Sequence, residues 1–382
     1  SIKKTESFKK EKKKKNSVIS LLTPKRTQNI AIALARVWSG PFSELARAIT
    51  MLKCDVIGID NVEKLIKISP TAAEVNLVKS YTGDIALLNK ADRFILTMGS
   101  VTRLQARLNA MIFHEKFKET ISSVVEAMEL IKCASNEILE SHNFQELLGI
   151  VLSLGNKLNQ NTRKQLAAGI RLDSLMKLAA TKGKTGVTVL EYMVQHLLSS
   201  KAELLELGQE LKHLKAATFP NYSNILVDMK MLQRGLDDIQ KQILIEKQEG
   251  ETIFESEYGN FCRNANSKIQ SANIIFKEMK EQYAKAAQWL FEDPKKVEPA
   301  NLFSKILLFI STVDRTKVKV EEKRRRTNKG MKATGTDSKK SIKSLSNDSK
   351  RLLDSASKLE MLKKSRRHSV DAWKDEPDSP NI

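Results

Sequence analysis

The sequence has few cysteines and histidines, and neither type is clustered. The three cysteines, Cys54, Cys133 and Cys262, are far apart in a chain of 382 residues. Such spacing provides neither a disulfide framework nor a zinc motif, and isolated cysteines are typical of a reducing compartment. The five histidines are equally dispersed, at positions 114, 142, 196, 213 and 368. We therefore predict a cytoplasmic protein without a metal site, and no motif calls for a cofactor.

Long hydrophobic runs are also lacking. A membrane-spanning helix needs about 18 or more apolar residues in succession. The best candidate, residues 301–313, is short and interrupted by Lys305. The N-terminal lysine run is followed by no apolar segment, so it does not have the pattern of a secretory signal. The sequence predicts neither a membrane span nor secretion.

Proline is scarce, and none occurs between Pro70 and Pro220. This interval is rich in Leu, Ala, Glu, Lys and Ile, which favour helix, while runs that alternate with period two are absent. An all-α fold is therefore predicted. Two helix starts are expected from local signals: a capping box at Asp60–Glu63, and a cap at Ser69 followed by Pro70.

Apolar residues with helical spacing support the same fold class. One short face is formed by Leu190, Met193, Val194, Leu197 and Leu198. Two longer segments have the three- and four-residue spacing of a coiled-coil seam. The first seam comprises positions 225, 229, 232, 236, 239 and 243, and the second comprises 258, 261, 265, 269, 272, 276, 279, 283 and 286. Since Gly250 separates them, we predict a long helical hairpin.

The net charge of +20 is concentrated at the two ends of the chain. Residues 1–15 hold eight lysines and two glutamates, and residues 315–382 hold twenty basic and ten acidic residues. We therefore divide the chain into a basic leader (1–15), a helical domain (16–315) and a basic, largely disordered tail (316–382). Such basic ends suit nucleic acid, anionic lipid, actin or microtubules, and they equally suit solvated linkers.

Catalytic motifs are absent from the sequence. Gly183-Lys184-Thr185 has the last residues of a phosphate-binding loop, but Leu178 occupies the position of its first glycine. No pattern places a nucleophile on a sharp turn beside a base. We expect a binding protein rather than an enzyme.

The segment 154–175 contains Gly-Asn, Asn-Gln-Asn and Ala-Ala-Gly and predicts a loop between two helices. It resembles the most characteristic motif of the formin-homology-2 domain, Gly-Asn-Tyr-x-Asn-x-Gly, then Ala-x-Gly-Phe and a Leu-x-x-Leu-x-Lys-Leu helix. The matching residues are Gly155, Asn156, Asn159, Ala167, Gly169, Leu172, Leu175, Lys177 and Leu178. Four further blocks resemble the family in sequence order: residues 24–32, 91–94, 103–108 and 292–303.

The resemblance implies an elongated, multi-helix domain with a knob, a long coiled-coil hairpin and a post. Such a domain nucleates actin filaments and stays on their growing barbed ends, which would locate the protein at the actin cytoskeleton. By position, Ile32 matches the knob residue that packs into actin, with Lys25 and Arg26 beside it, and Lys182 matches a basic contact on the post side. From the residues alone, the alternatives are that Ile32 is a core residue of its own helix and that Lys182 is a solvated lysine.

The same resemblance implies a homodimer in which an N-terminal lasso wraps the partner's post. The post loop would include Gly155, Asn156, Lys157, Asn159 and Gly169. Lys157 replaces the family's tyrosine, Ile170 its phenylalanine, and Asn161 and Leu166 stand where glycines are common. Residues 1–15 contain no tryptophan, so we expect the lasso to be lacking and the homodimer to form only when a lasso is present.

Two alternatives stay open from the sequence. The chain is either an actin nucleation and elongation domain or a basic coiled-coil scaffold that binds microtubules, nucleic acid or anionic membrane without filament-end activity. Profilin would be a partner only through a proline-rich segment that this chain does not contain. In the tail, Arg366-Arg367-His368-Ser369 has the pattern read by basophilic kinases, so Ser369 is a candidate phosphosite.

Overall fold

The computed structural model describes residues 18–160, 166–184 and 186–334, with side chains as far as Thr327. Within these ranges the chain is all-α, which confirms the predicted fold class. The only β pairings there are two isolated bridges, Ile19 with Leu88 and Lys182 with Thr188. The helices are α1 Pro24–Val37, α2 Phe42–Thr50, α3 Cys54–Ile57, α4 Ile59–Ile68, α5 Ala72–Lys79, α6 Lys90–Met98, α7 Leu104–Glu140, α8 His142–Asn159, α9 Leu172–Ala180, α10 Val189–Ser200, α11 Leu207–Glu210, α12 Tyr222–Glu249, α13 Ile253–Trp289 and α14 Pro299–Thr334.

The chain divides into two compact units. The first unit comprises Ser1–Ser123 and Asp228–Ala272, and the second comprises Val124–Val227 and Asn273–Ile382. The long helices α7, α12 and α13 therefore each supply residues to both units. No helix in the described ranges is both long enough and apolar enough to cross a membrane.

The first unit corrects both predicted helix starts. Helix α4 begins at Ile59 after Gly58, so Asp60 lies inside its first turn and forms no capping box. Helix α5 begins at Ala72, and its capping box joins Thr71 to Glu74. The Thr71 hydroxyl accepts the Glu74 amide, and the Glu74 carboxylate accepts the Thr71 amide at 2.8 Å. The N-cap is therefore Thr71, two positions after Ser69, because its cap is reciprocal, and the helix starts at the next residue.

A buried ionic network joins four segments of the first unit. The side chain of Arg107 is fully buried and donates to the carbonyl oxygens of Thr50 at 2.7 Å and Thr102 at 3.0 Å. Its Nη2 also donates to Glu246 Oε1 at 2.8 Å, while Glu246 Oε2 accepts the Phe254 amide at 2.7 Å. Every charge is thereby matched, which offsets the cost of taking the guanidinium out of water.

Most residues of both predicted seams are buried. In the first seam Ile225, Met229, Leu232, Leu236 and Ile239 are buried, and Ile243 is half-buried. In the second, Phe261 and Phe276 are half-buried and the other members are buried. A side chain at Gly235 would lie 2.3 Å from the Phe113 ring, so α12 and α7 approach closely there within the first unit. The positive φ of Gly250, 79°, ends α12 and permits the turn into α13.

The second unit contains the predicted short apolar face and one clear correction. On α10, Leu190, Met193, Val194 and Leu197 are buried as expected, and Leu198 is half-buried. Helix α14, however, continues without a break through residue 334. The expectation that linker or disorder begins after residue 315 is therefore wrong for residues 316–334. Residues 1–17 and 335–382, including Ser369, lie outside the described ranges.

Candidate functional site

Helix α1 has a buried apolar face and an exposed face with both polar and apolar side chains. Its buried residues are Ile30, Leu34 and Val37, spaced by four and three. Ile32 lies on the other side of the helix, and its exposed fraction is 52%. The interpretation of Ile32 as a core residue is thus wrong. An isoleucine that the fold itself leaves in water can serve as an apolar anchor for a partner.

Arg26 is held by its own chain. Its Nε donates to Glu74 Oε1 at 2.7 Å, and Nη2 donates to Glu74 Oε2 at 3.2 Å and to the Ser69 carbonyl at 2.9 Å. Burial alone would raise the pKa of Glu74, yet these hydrogen bonds and those from Thr71 lower it below its usual value. The ion pair ties α1 to the start of α5. Arg26 therefore positions the outward face of α1.

Lys25 differs from its neighbour. Its side chain is exposed, and no ion pair to it is seen among the described residues. Asn29, Ile32 and Arg36 follow it on the same exposed side at positions i+4, i+7 and i+11. The outward face of α1 therefore combines an apolar centre with exposed cations, a surface suited to an acidic partner with an apolar pocket.

The chain that leads into α1 is fixed by Asp92. Asp92 Oδ2 accepts the Leu21 amide at 2.8 Å and the Asn89 side-chain amide at 2.9 Å, and Asp92 is fully buried. Backbone bonds from Ile19 to Leu87 and from Asn89 to Ile19 hold the same segment. Asp92 belongs to the block 91–94, which was noted in the sequence only for its resemblance to the family. In the structure it orients the start of α1.

In the second unit, the predicted post loop begins later than expected. Gly155, Asn156, Lys157 and Asn159 lie in the last turns of α8 rather than in a loop. The Asn156 side chain crosses to Ala167: its Nδ2 donates to the Ala167 carbonyl at 3.0 Å, and its Oδ1 accepts the Ala167 amide at 2.8 Å. This pair of bonds brings the two ends of the segment together, which explains why an amide side chain is needed there.

The two motif glycines have different environments. A Cβ on Gly169 would lie 2.0 Å from the Phe291 ring, so a side chain there would force that ring to move. A Cβ on Gly155 would meet no described atom within 4 Å. Gly169 therefore packs closely against Phe291 inside the unit, whereas Gly155 faces open space.

Several exposed side chains surround this segment. Leu158 and Leu166 have exposed fractions of 59% and 67%, and Lys157 is exposed beside them. Because Lys157 is solvated, its charge costs nothing within this chain.

Lys182 lies in a short turn between α9 and α10. Its backbone pairs with Thr188, with a bond from the Gly183 amide to the Val187 carbonyl at 2.9 Å. The Lys182 side chain is exposed, and no ion pair to it is seen in the described part of the chain. Thr188 begins α10 through a capping box with Glu191. The turn therefore holds a free cation on a well-anchored backbone.

The structure groups the predicted residues in two sets. Lys25, Arg26 and Ile32 share α1 in the first unit, while in the second Asn156 joins α8 to the segment that contains Gly169. Lys182 lies apart from both sets, in the turn between α9 and α10. The anchoring roles of Asp92 and Glu191 were not predicted from the sequence. Glu191 could have been found from Thr188-x-x-Glu191, a capping-box pattern.

The described residues form long helices, and motif residues fix a helix face that exposes basic and apolar side chains, which defines the class of an all-helical domain. A family model described as Formin Homology 2 Domain matches residues 1–314. The chain therefore belongs to the Formin Homology 2 domain family.

Plant proteins are among its relatives. The chain is 27% identical over 300 residues to formin-like protein 3 of Oryza sativa subsp. japonica, covering 78% of this chain and 24% of that protein. It is 29% identical over 311 residues to formin-like protein 5 of the same organism, covering 81% and 19%. Formin-like protein 14 of Arabidopsis thaliana is 28% identical over 298 residues, covering 77% and 24%. The chain thus spans about a quarter or less of these relatives' length.

Proposed function

We propose that the chain binds actin, promotes filament nucleation and stays on the growing barbed end. The family supplies the class of activity, and the outward face of α1 supplies a surface of suitable chemistry. The observation that carries the proposal is the 52% exposure of Ile32 on a helix whose opposite face is buried. In this proposal Ile32 inserts into an apolar cleft of actin and Lys25 faces acidic groups beside that cleft.

Lys182 is the proposed second contact. Its ammonium group is solvated and its backbone is held by the bridge to Thr188. A fixed backbone lowers the entropy that is lost when a side chain orders on binding. Arg26 has a different role in this proposal, because its guanidinium is occupied by Glu74 and it orients α1.

The test is fluorescence-monitored assembly of pyrene-labelled actin, with and without a barbed-end capping protein. We expect Ile32→Ala to lose barbed-end activity, since truncation of a central apolar anchor costs about 2 kcal/mol or more of binding free energy, a factor of about 30. Ile85→Ala is the matched control, because Ile85 is an isoleucine of the same unit with an exposed fraction of 53%. Equal nucleation by the Ile32→Ala variant and the parent, with helical content intact, would show that α1 is not the actin contact.

The alternative function is a basic scaffold that binds microtubules, nucleic acid or anionic membrane. In the described part of the basic C-terminal region, Lys317, Lys319 and Lys323 pair with acidic side chains of the same unit. These cations are therefore less available for an external polyanion. Salt-dependent co-sedimentation with vesicles or microtubules, in the absence of any actin effect, would favour the alternative.

A further inference from the structure

Helix α14 extends past residue 314, where the match to the family model ends, and its extension packs on α10. Val313 and Val320 are buried and lie seven residues apart, on one face of the helix. Arg324 Nη2 donates to the Gln195 carbonyl at 2.8 Å and to the Ser199 hydroxyl at 2.6 Å. The extension is thus an integral part of the second unit.

Glu191 lies where the extension meets the start of α10. Its Oε1 accepts Lys319 Nζ at 2.7 Å and Lys323 Nζ at 3.1 Å. Its Oε2 accepts the Thr188 amide at 3.2 Å. The Glu191 side chain is only 8% exposed, whereas both lysines are more than half exposed. One nearly buried carboxylate therefore joins two cations of α14 to the cap of α10.

The charge state of this carboxylate agrees with that geometry. The hydrogen bond from Lys319, followed by that from the Thr188 backbone, lowers the pKa of Glu191 to about 2. Glu191 is consequently ionised at neutral pH. Without the lysines, a nearly buried negative charge would have lost most of its compensation and would favour a more solvated position.

Thr188 connects the Glu191 carboxylate to the turn that contains Lys182. It is the bridge partner of Lys182, and the Val189 amide donates to the Thr181 carbonyl at 2.9 Å. A continuous set of hydrogen bonds and ion pairs thus runs from α14 through Glu191 and Thr188 to the turn. Moving the Glu191 carboxylate would release one of the bonds that hold Thr188.

We propose that Lys319 and Lys323 are positioning residues that fix the turn containing Lys182, so that residues 315–324 belong to the functional domain although they lie beyond the family match. The inference rests on the proposed function only in giving Lys182 a role with actin. Its structural content is that the extension restrains the turn.

Hydrogen exchange of the turn amides tests the structural content directly. We compare Lys319→Gln/Lys323→Gln with the control Arg325→Gln/Arg326→Gln. The control removes the same charge from the same helix at two exposed positions. We expect the Gly183 and Val189 amides to exchange about fivefold faster in the first variant, the equivalent of losing one helix cap. Exchange in the control should equal that of the parent. Equal rates in all three proteins would overturn the inference.

A second variant separates loss of the ion pairs from loss of the cap. Glu191→Gln keeps an acceptor for the Thr188 amide but removes the negative charge. We expect this variant to speed exchange of the turn amides less than the double lysine variant does, and its exchange to be insensitive to salt. In the parent, exchange should rise with salt because ion pairs that are partly exposed are screened. Salt-independent exchange in the parent would contradict an ionic restraint.

Actin assembly by Lys182→Ala distinguishes failure of the inference from failure of the proposed function. If the lysine variant loosens the turn while Lys182→Ala assembles actin like the parent, the positioning role holds and the actin role of Lys182 is wrong. If Lys182→Ala loses activity while the lysine variant leaves the turn amides unchanged, the actin contact holds and the positioning role is wrong.

Discussion

Three charged motif residues of the first unit point inward, whereas Lys25 and Ile32 of the same unit face solvent, and the motif residues of the second unit are likewise divided between packing and solvent. In the first unit, Arg26, Asp92 and Arg107 all bind groups of their own chain. In the second, Gly169 is fixed by Phe291 but Gly155 faces open space. A match to a family motif therefore does not distinguish a contact residue from an anchor. The distinction depends on burial and on whether the polar atoms already have partners.

The largest expected effect is at the buried network of the first unit. Arg107→Ala would leave the nearly buried Glu246 with Arg103, at 3.3 Å, as its remaining cation, so we expect a loss of about 3 kcal/mol in the free energy of unfolding, the lower end of the range for breaking a buried pair. The matched control is Lys305→Ala in the second unit, whose pair with Asp173 is exposed on both sides. That change should cost at most about 1 kcal/mol. Denaturant unfolding followed by helical signal measures both, and similar losses would remove the contrast between an internal and a surface pair.

A pair of glycine substitutions sharpens the contrast within the second unit. Gly169→Ala forces a methyl group against the Phe291 ring, and we expect it to cost about 1–3 kcal/mol of stability. Gly155→Ala places the methyl group in open space within α8, where alanine is the better helix former by about 1 kcal/mol. The two changes should therefore have opposite signs in thermal unfolding. Destabilisation by Gly155→Ala would show that this glycine contributes to packing within the chain.

The sequence predicted the parts of the fold that depend on local periodicity. The seam residues from Ile225 to Ile239 and the α10 face were correct, because burial repeats with the helical period. The predicted helix start at Asp60 was wrong because Gly58 is the N-cap and the helix begins at Ile59. The extension of α14 was missed because its many charges outweighed the spacing of Val313 and Val320.

The candidate site was predictable only in part, because only some of its features depend on residues that are close in sequence. Exposure of Ile32 follows from its position opposite Ile30 and Leu34 on one helix, which is local information. The partners of Arg26 and Glu191 are distant in sequence: Glu74 lies 48 residues after Arg26, and Lys323 lies 132 residues after Glu191. Such pairings depend on tertiary packing, so a basic residue in a motif could not be assigned as an anchor or a contact in advance.

The smallest expected effect on stability is at Lys25 on α1, and it contrasts with the effect at the adjacent Arg26. Arg26→Ala removes a partly buried, bidentate ion pair and should cost about 1–2 kcal/mol, with a secondary loss of actin assembly because α1 is less well held. Lys25→Ala should change stability by less than about 0.5 kcal/mol, because its side chain is exposed. It should nevertheless slow association with actin, more at low salt than at high salt, since exposed charges act mainly on the rate of encounter. Thermal unfolding and salt-dependent actin assembly of the two variants test this division, and a Lys25→Ala variant with unchanged assembly at every salt concentration would leave Ile32 as the sole proposed contact on α1.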